Sequence, residues 1–144
     1  MERQHGRCSV LAGVLFTSLA ASMGVAPLPR AGVLVHSSLC AGLEDAEGGE
    51  VTLFRRPAGD SAVFTRMEGP IMAPLFAYGP NVKIDDRTGR ISLRFLDPEL
   101  GKAGEYLLDG MITGQAMDVS SNISGQLKLP RLQVFAPKLP RCKR

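Results

Sequence analysis

Proton transfer, nucleophilic attack and metal binding rely on histidine, cysteine or paired carboxylates, and this chain of 144 residues places few of them where they can meet. His5 and His36 are its two histidines, and both precede the alternating body of the chain that starts near Glu50. A Ser-His-Asp triad, a Cys-His pair or a His-based metal site is therefore not expected inside that body. Cys-x-x-Cys, Gly-x-Ser-x-Gly and Ser-x-x-Lys are all missing. The phosphate-cradling loop pattern also fails, because Ala103 follows Gly101-Lys102 where Ser or Thr is needed, and Leu96 stands where the first glycine belongs. No catalytic residue, cofactor or metal ligand is expected.

Carboxylates are the remaining catalytic option. Asp85 and Asp86 are adjacent. Neighbours on a strand point to opposite faces, and both fall where a turn favours aspartate. Asp97 with Glu99, and Asp109 with Asp118, can serve glycoside cleavage or cation binding only if folding brings them together. Solvated charges and caps are the simpler expectation. Asn122-Ile123-Ser124 matches the glycosylation acceptor pattern, which has meaning only in a eukaryotic secretory pathway.

Two cysteine positions and one cluster of bases hold the remaining chemistry. If an N-terminal leader carrying Cys8 is removed, Cys40 and Cys142 are left near opposite ends of the chain. In an oxidising compartment they are a candidate disulfide; the alternative is two thiols on loose ends. Such a bridge would close a loop on the order of 100 residues and add roughly 4–5 kcal/mol by chain entropy. The bases are Lys128, Arg131, Lys138, Arg141, Lys143 and Arg144, with no acid among them, and Lys-Leu-Pro-Arg occurs twice, ten residues apart. Between Glu44 and Leu127 the balance reverses, with thirteen acids to eight bases. The net charge of +3 thus hides an acidic body and a basic, proline-containing end. That end is a candidate contact for an anionic envelope surface or an acidic protein partner, or simply a solvated terminus. With no aromatic residue interleaved beyond Phe135, nucleic acid is not a favoured partner.

The elements that must position these residues begin with an apolar leader. A start containing Arg3 and Arg7 precedes an uncharged stretch from Cys8 to Pro29, with Val10-Leu11-Ala12-Gly13-Val14-Leu15-Phe16 at its centre and small residues after it. This is the layout of a secretory signal peptide over residues 1–26. A retained single membrane anchor and a mitochondrial transit peptide are the alternatives, and membrane attachment follows only if the leader stays on. Residues 27–49 read as a linker of uncertain processing, 50–135 as a β domain, and 136–144 as a basic tail.

In the body, short alternating runs are separated by turn residues, the pattern of antiparallel strands. Residues 51–55 and 62–66 flank Pro57-Ala58-Gly59-Asp60. Residues 82–84 and 91–95 flank a turn ending in Gly89-Arg90, with Ile91, Leu93 and Phe95 on one face. Residues 71–78 are apolar but contain Pro74, which restricts them to an edge strand or an extended loop. Asp97-Pro98 suggests a short helical start, and 105–113, 115–123 and 126–135 read as further strands. The expected fold is mainly β, a small antiparallel sandwich or barrel-like domain of about six to eight strands behind an apolar leader. An exported, non-enzymatic binding or scaffolding domain at a cell envelope or outside the cell fits best. A carboxylate-dependent enzyme acting on a glycan-like polymer and an organelle-imported accessory subunit are the alternatives.

Overall fold

The computed structural model describes residues 28–42, 46–68, 74–97, 104–132 and 138–143. The leader, the helical start at Pro98–Leu100 and Arg144 lie outside them. Ten strands are present among the described residues: β1 (Gly32–Ser37), β2 (Cys40–Ala41), β3 (Ala46–Arg55), β4 (Ser61–Glu68), β5 (Leu75–Tyr78), β6 (Val82–Ile84), β7 (Arg90–Leu96), β8 (Glu105–Ile112), β9 (Ala116–Ser121) and β10 (Gly125–Pro130). They form two antiparallel sheets. The first has the order β1-β3-β4-β5, with β2 also on β3, and the second has the order β10-β9-β8-β7-β6.

β3 to β5 and β6 to β10 are each a meander, every strand pairing with its predecessor, so most pairings are local and need only tight connections. The turn at 57–60 joins β3 to β4, with Phe54 opposite Ser61, as its Pro-Ala-Gly-Asp composition predicts. In the β6–β7 turn, Gly89 has φ +74°, and a Cβ there would collide with the carbonyl oxygen of Ile112. Only glycine lets the turn pack against the end of β8, where the Ile112 N–H donates to Gly89 O at 2.7 Å.

The core lies between the sheets. Leu34, Val51, Leu53, Phe64 and Ala77 come from the first, and Leu93, Phe95, Tyr106, Leu108, Met117 and Leu129 from the second. Phe64 crosses the gap, with its ring 5.7 Å from that of Phe95 and 4.8 Å from that of Tyr106. On one side the sheets approach through the His36–Arg131 bridge and the Leu132 N–H to Val35 O bond of 2.9 Å. On the other, β5 leads to β6 through a 3-10 turn, Gly79–Asn81, without a ladder between them. The molecule is therefore an open sandwich and not a closed barrel.

Two expectations change. Residues 27–49 are not merely a linker: β1, β2 and the start of β3 lie there, and Leu28, Leu34 and Leu39 are buried. Their strand character is weak in sequence because the inward-facing positions of β1 include His36, the polar Ser37 follows it, and Gly48-Gly49 interrupts β3. These front strands raise the count from eight to ten. The last described strand ends at Pro130, and residues 133–135 of the expected one lie outside the described residues.

Candidate functional site

Each candidate carboxylate has a structural task or an open position. Asp85 accepts from Arg87 N–H at 2.9 Å, Thr88 N–H at 3.3 Å and the Thr88 hydroxyl at 2.7 Å. The Thr88 hydroxyl, followed by these backbone donors, holds its pKa below the usual aspartate value, as expected for a turn cap. Asp86 accepts from Arg55 Nη2 at 2.7 Å, and Asp60 from Arg55 Nε at 3.0 Å. Arg55 lies at the end of β3 with its side chain only 5% exposed, so it ties the β3–β4 turn to the β6–β7 turn. Burial works to lower its pKa, but the bonds and charges of Asp86 and Asp60 outweigh burial and raise it above the ordinary arginine value.

Asp109 and Asp118 do reach one face. Asp109 stands opposite Ser120 and Asp118 opposite Met111, which makes the two aspartates diagonal neighbours on the outer face of the second sheet. Both are exposed on an open surface. Asp97 is buried, and its N–H donates to Gly104 O at 2.9 Å, while Glu99 lies outside the described residues. No group of three or more His, Cys, Asp or Glu among the described residues could hold a metal ion. Asn122 spends both ends of its amide on the backbone, accepting from Leu107 N–H and donating to Glu105 O, each at 2.8 Å.

His36 lies inside the domain rather than upstream of it. Its side chain points into the core from β1 and is fully buried, and neither ring nitrogen has a hydrogen-bond partner among the described residues. Desolvation, with the charge of Arg131 second, lowers its pKa to about 4. A neutral, sealed imidazole of this kind is a core residue and has no access to a substrate.

The terminal bases divide into two groups. Lys128 lies on β10 opposite Asp118, and Arg131 turns its Nη1 toward Gly114 O at 3.3 Å. Lys138, Arg141 and Lys143 are exposed on the terminal segment. That segment is fastened instead of loose. Cys142 is disulfide-bonded to Cys40 across 102 residues, with Cα atoms 4.9 Å apart. Ala41 N–H donates to Pro140 O at 2.7 Å, and Cys142 N–H donates to Ala41 O at 3.0 Å. Arg141 thus pairs in parallel beside Ala41 on β2.

The most unusual surface carries residues that sequence reasoning did not single out. Ladder register places Val33, Phe54, Ser61 and Tyr78 in one outward row of the first sheet, and Val35, Thr52, Val63 and Phe76 in the next. Val33 is 53% exposed, Phe76 49% and Tyr78 60%. The following row, Ser37, Glu50 and Thr65, is polar and ends the patch. The outer face of the second sheet differs: Lys83, Ser92, Asp109, Ser120 and Gln126 form one row, and Arg94 pairs with Glu105 at 3.6 Å. The signal in the sequence was the order Phe76-Ala77-Tyr78 in a segment expected as an edge strand or an extended loop, of which residues 75–78 form the edge strand β5. Alternation buries Ala77 opposite Ala62 and sends both rings outward.

A groove of about 490 Å³ crosses this face, lined by Phe54, Arg56, Asp60, Ser61, Phe76 and Tyr78 among others. The Phe76 and Tyr78 rings are parallel within 1°, with centroids 6.3 Å apart. The Arg56 guanidinium lies over the Phe54 ring at 5.7 Å. A more polar cleft of about 960 Å³ flanks the other side of Asp60 and includes Lys83, Asp85, Arg90 and Asp109.

Fold and surface together define an open antiparallel β-sandwich with one charged and one aromatic outer face. No family model, curated protein or solved structure matches the chain.

Proposed function

We propose that this chain is an exported, non-enzymatic binding domain that works at a cell envelope or outside the cell, with the outer face of the first sheet as its contact surface. The observation that carries this reading is the half-exposed Phe76–Tyr78 pair beside Val33 and Phe54 on a folded sheet face. Exposed apolar groups clustered on one face are a mark of recognition surfaces, whereas on the opposite face Leu96 and Met111 stand apart among charged and polar residues. The engagement of Asp60, Asp85 and Asp86 in turns favours binding over carboxylate catalysis. The disulfide between Cys40 and Cys142 accords with an oxidising compartment. The basic terminal residues Lys138, Arg141 and Lys143 offer a separate contact for an anionic envelope surface.

Co-sedimentation with washed cell envelopes tests the contact surface. The wild-type protein should pellet with the envelopes, and Phe76→Ser/Tyr78→Ser should stay in the supernatant. Equal partition of the two would remove the aromatic face as the contact. N-terminal sequencing of the mature protein tests export: a start just beyond the apolar leader is expected, whereas an intact Met1 in the membrane fraction would replace secretion with anchoring.

A further inference from the structure

We propose that the aromatic groove of the first sheet binds a neutral saccharide, an assignment that rests on the binding reading above. Size is the first argument. The apolar patch is four strands wide and two outward rows deep, so its Cα positions span roughly 15 by 7 Å at ordinary strand and residue spacings. A stable protein interface needs about 800 Å² from each partner, several times this area. A short chain of sugar rings covers it.

Chemistry is the second argument. A pyranose has a face of C–H groups and an edge of hydroxyls. Aromatic rings present a negative π-face that attracts C–H groups, and Phe54, Phe76 and Tyr78 all line the groove. Beside them stand the Asp60 carboxylate as acceptor, the Arg56 guanidinium as donor, and the hydroxyls of Ser61 and Tyr78, which do both. Mostly apolar walls with a few fixed polar groups are the usual make-up of a small-molecule site. Asp60 is held from below by buried Arg55 at 3.0 Å and by Arg56 N–H at 3.4 Å, so its orientation is set before a ligand arrives.

Charge excludes the competing ligands. Arg56 and Asp60 give the groove one positive and one negative group, which gives no attraction toward a polyanion such as nucleic acid. An acyl chain laid in the groove would desolvate the Asp60 carboxylate without offering it a donor. A sugar offers its hydroxyls to both charges.

The test is proton NMR of the aromatic rings during titration with maltotriose, cellotriose or chitotriose, each to about 10 mM, a range that detects even millimolar affinity. The chain has two tyrosines and no tryptophan. Tyr78 therefore reports the groove, and Tyr106, which is 2% exposed, reports the integrity of the core. At least one trisaccharide should shift the Phe76 and Tyr78 resonances saturably while Tyr106 stays fixed. Tyr78→Ala and Phe76→Ala should each weaken that titration about tenfold or more with the core signals unchanged. No shift with any of the three, or an undiminished titration in both variants, overturns the saccharide assignment. A shift of Phe76 and Tyr78 on phosphatidylcholine vesicles in place of the sugars overturns it as well. Envelope co-sedimentation that depends on Phe76 and Tyr78 without any sugar response would overturn the saccharide alone and leave the binding domain standing.

Discussion

Arg55 and His36 are both buried polar side chains on the core side of the first sheet, yet they answer burial in opposite ways. Arg55 stays charged because two carboxylates and a favourable fork geometry hold it. Replacing it with leucine should lower stability by about 1–3 kcal/mol, because Asp60 and Asp86 lose a charged donor but keep contact with water. Urea denaturation of Arg55→Leu would measure that loss. His36 stays neutral because no partner compensates its burial. Its folded pKa of about 4 lies below the unfolded 6.5, so between these values the unfolded chain binds more protons. Stability should hold above about pH 6.5 and fall by about 3 kcal/mol as the pH drops toward 4. His36→Leu should flatten that part of the stability-pH curve; an unchanged slope would mean that other groups set it. Neither role is legible from the residue type, since both depend on which side of the sheet the residue faces.

Among the elements, legibility followed the length of the connection. The hairpins β3–β4 and β6–β7 were readable because their strands are each joined by five residues, with Pro, Asp and Gly among them at positions that favour reversal. β1 and β2 were not, because each is recognisable only by its pairing with β3. Gly89 shows how strict one turn position is. Gly89→Ala should cost about 1–3 kcal/mol, from positive φ and from the Ile112 carbonyl oxygen it would strike. Thermal denaturation is a sufficient measure. The terminal segment is an element only through Cys142. Alkylation of the denatured full-length chain without reductant should label one thiol, Cys8, and labelling after reduction should reach three. Cys142→Ser should lower stability by roughly 4–5 kcal/mol, as expected for a loop on the order of 100 residues, with Pro140 and Arg141 released from β2.

For the whole molecule, the decisive property is the difference between its two outer faces. Phe76→Ser and Tyr78→Ser each truncate a half-exposed ring outside the core, so their effects on folding stability should stay within about 0.5–1 kcal/mol while binding is lost. Sequence order alone yielded the β class, the turns, the restriction of residues 71–78 to an edge strand or an extended loop, the acidic body with its basic end, and the cysteines available to pair. These follow from local rules: side-chain period, turn preferences, proline chemistry and charge counts. Tertiary structure decided that His36 faces a core, that Arg55 joins its own turn to Asp86, 31 residues further along the chain, and that Cys40 meets Cys142. It also decided that Tyr78 aligns with Val33 and Phe54 across four strands, with Phe76 in the adjacent row. The physical reason is that alternation separates a strand into two faces without saying which one another sheet will cover. That choice belongs to the packing of the two sheets, where Phe64, Phe95 and Tyr106 fill the interior and leave the rings of β5 outside.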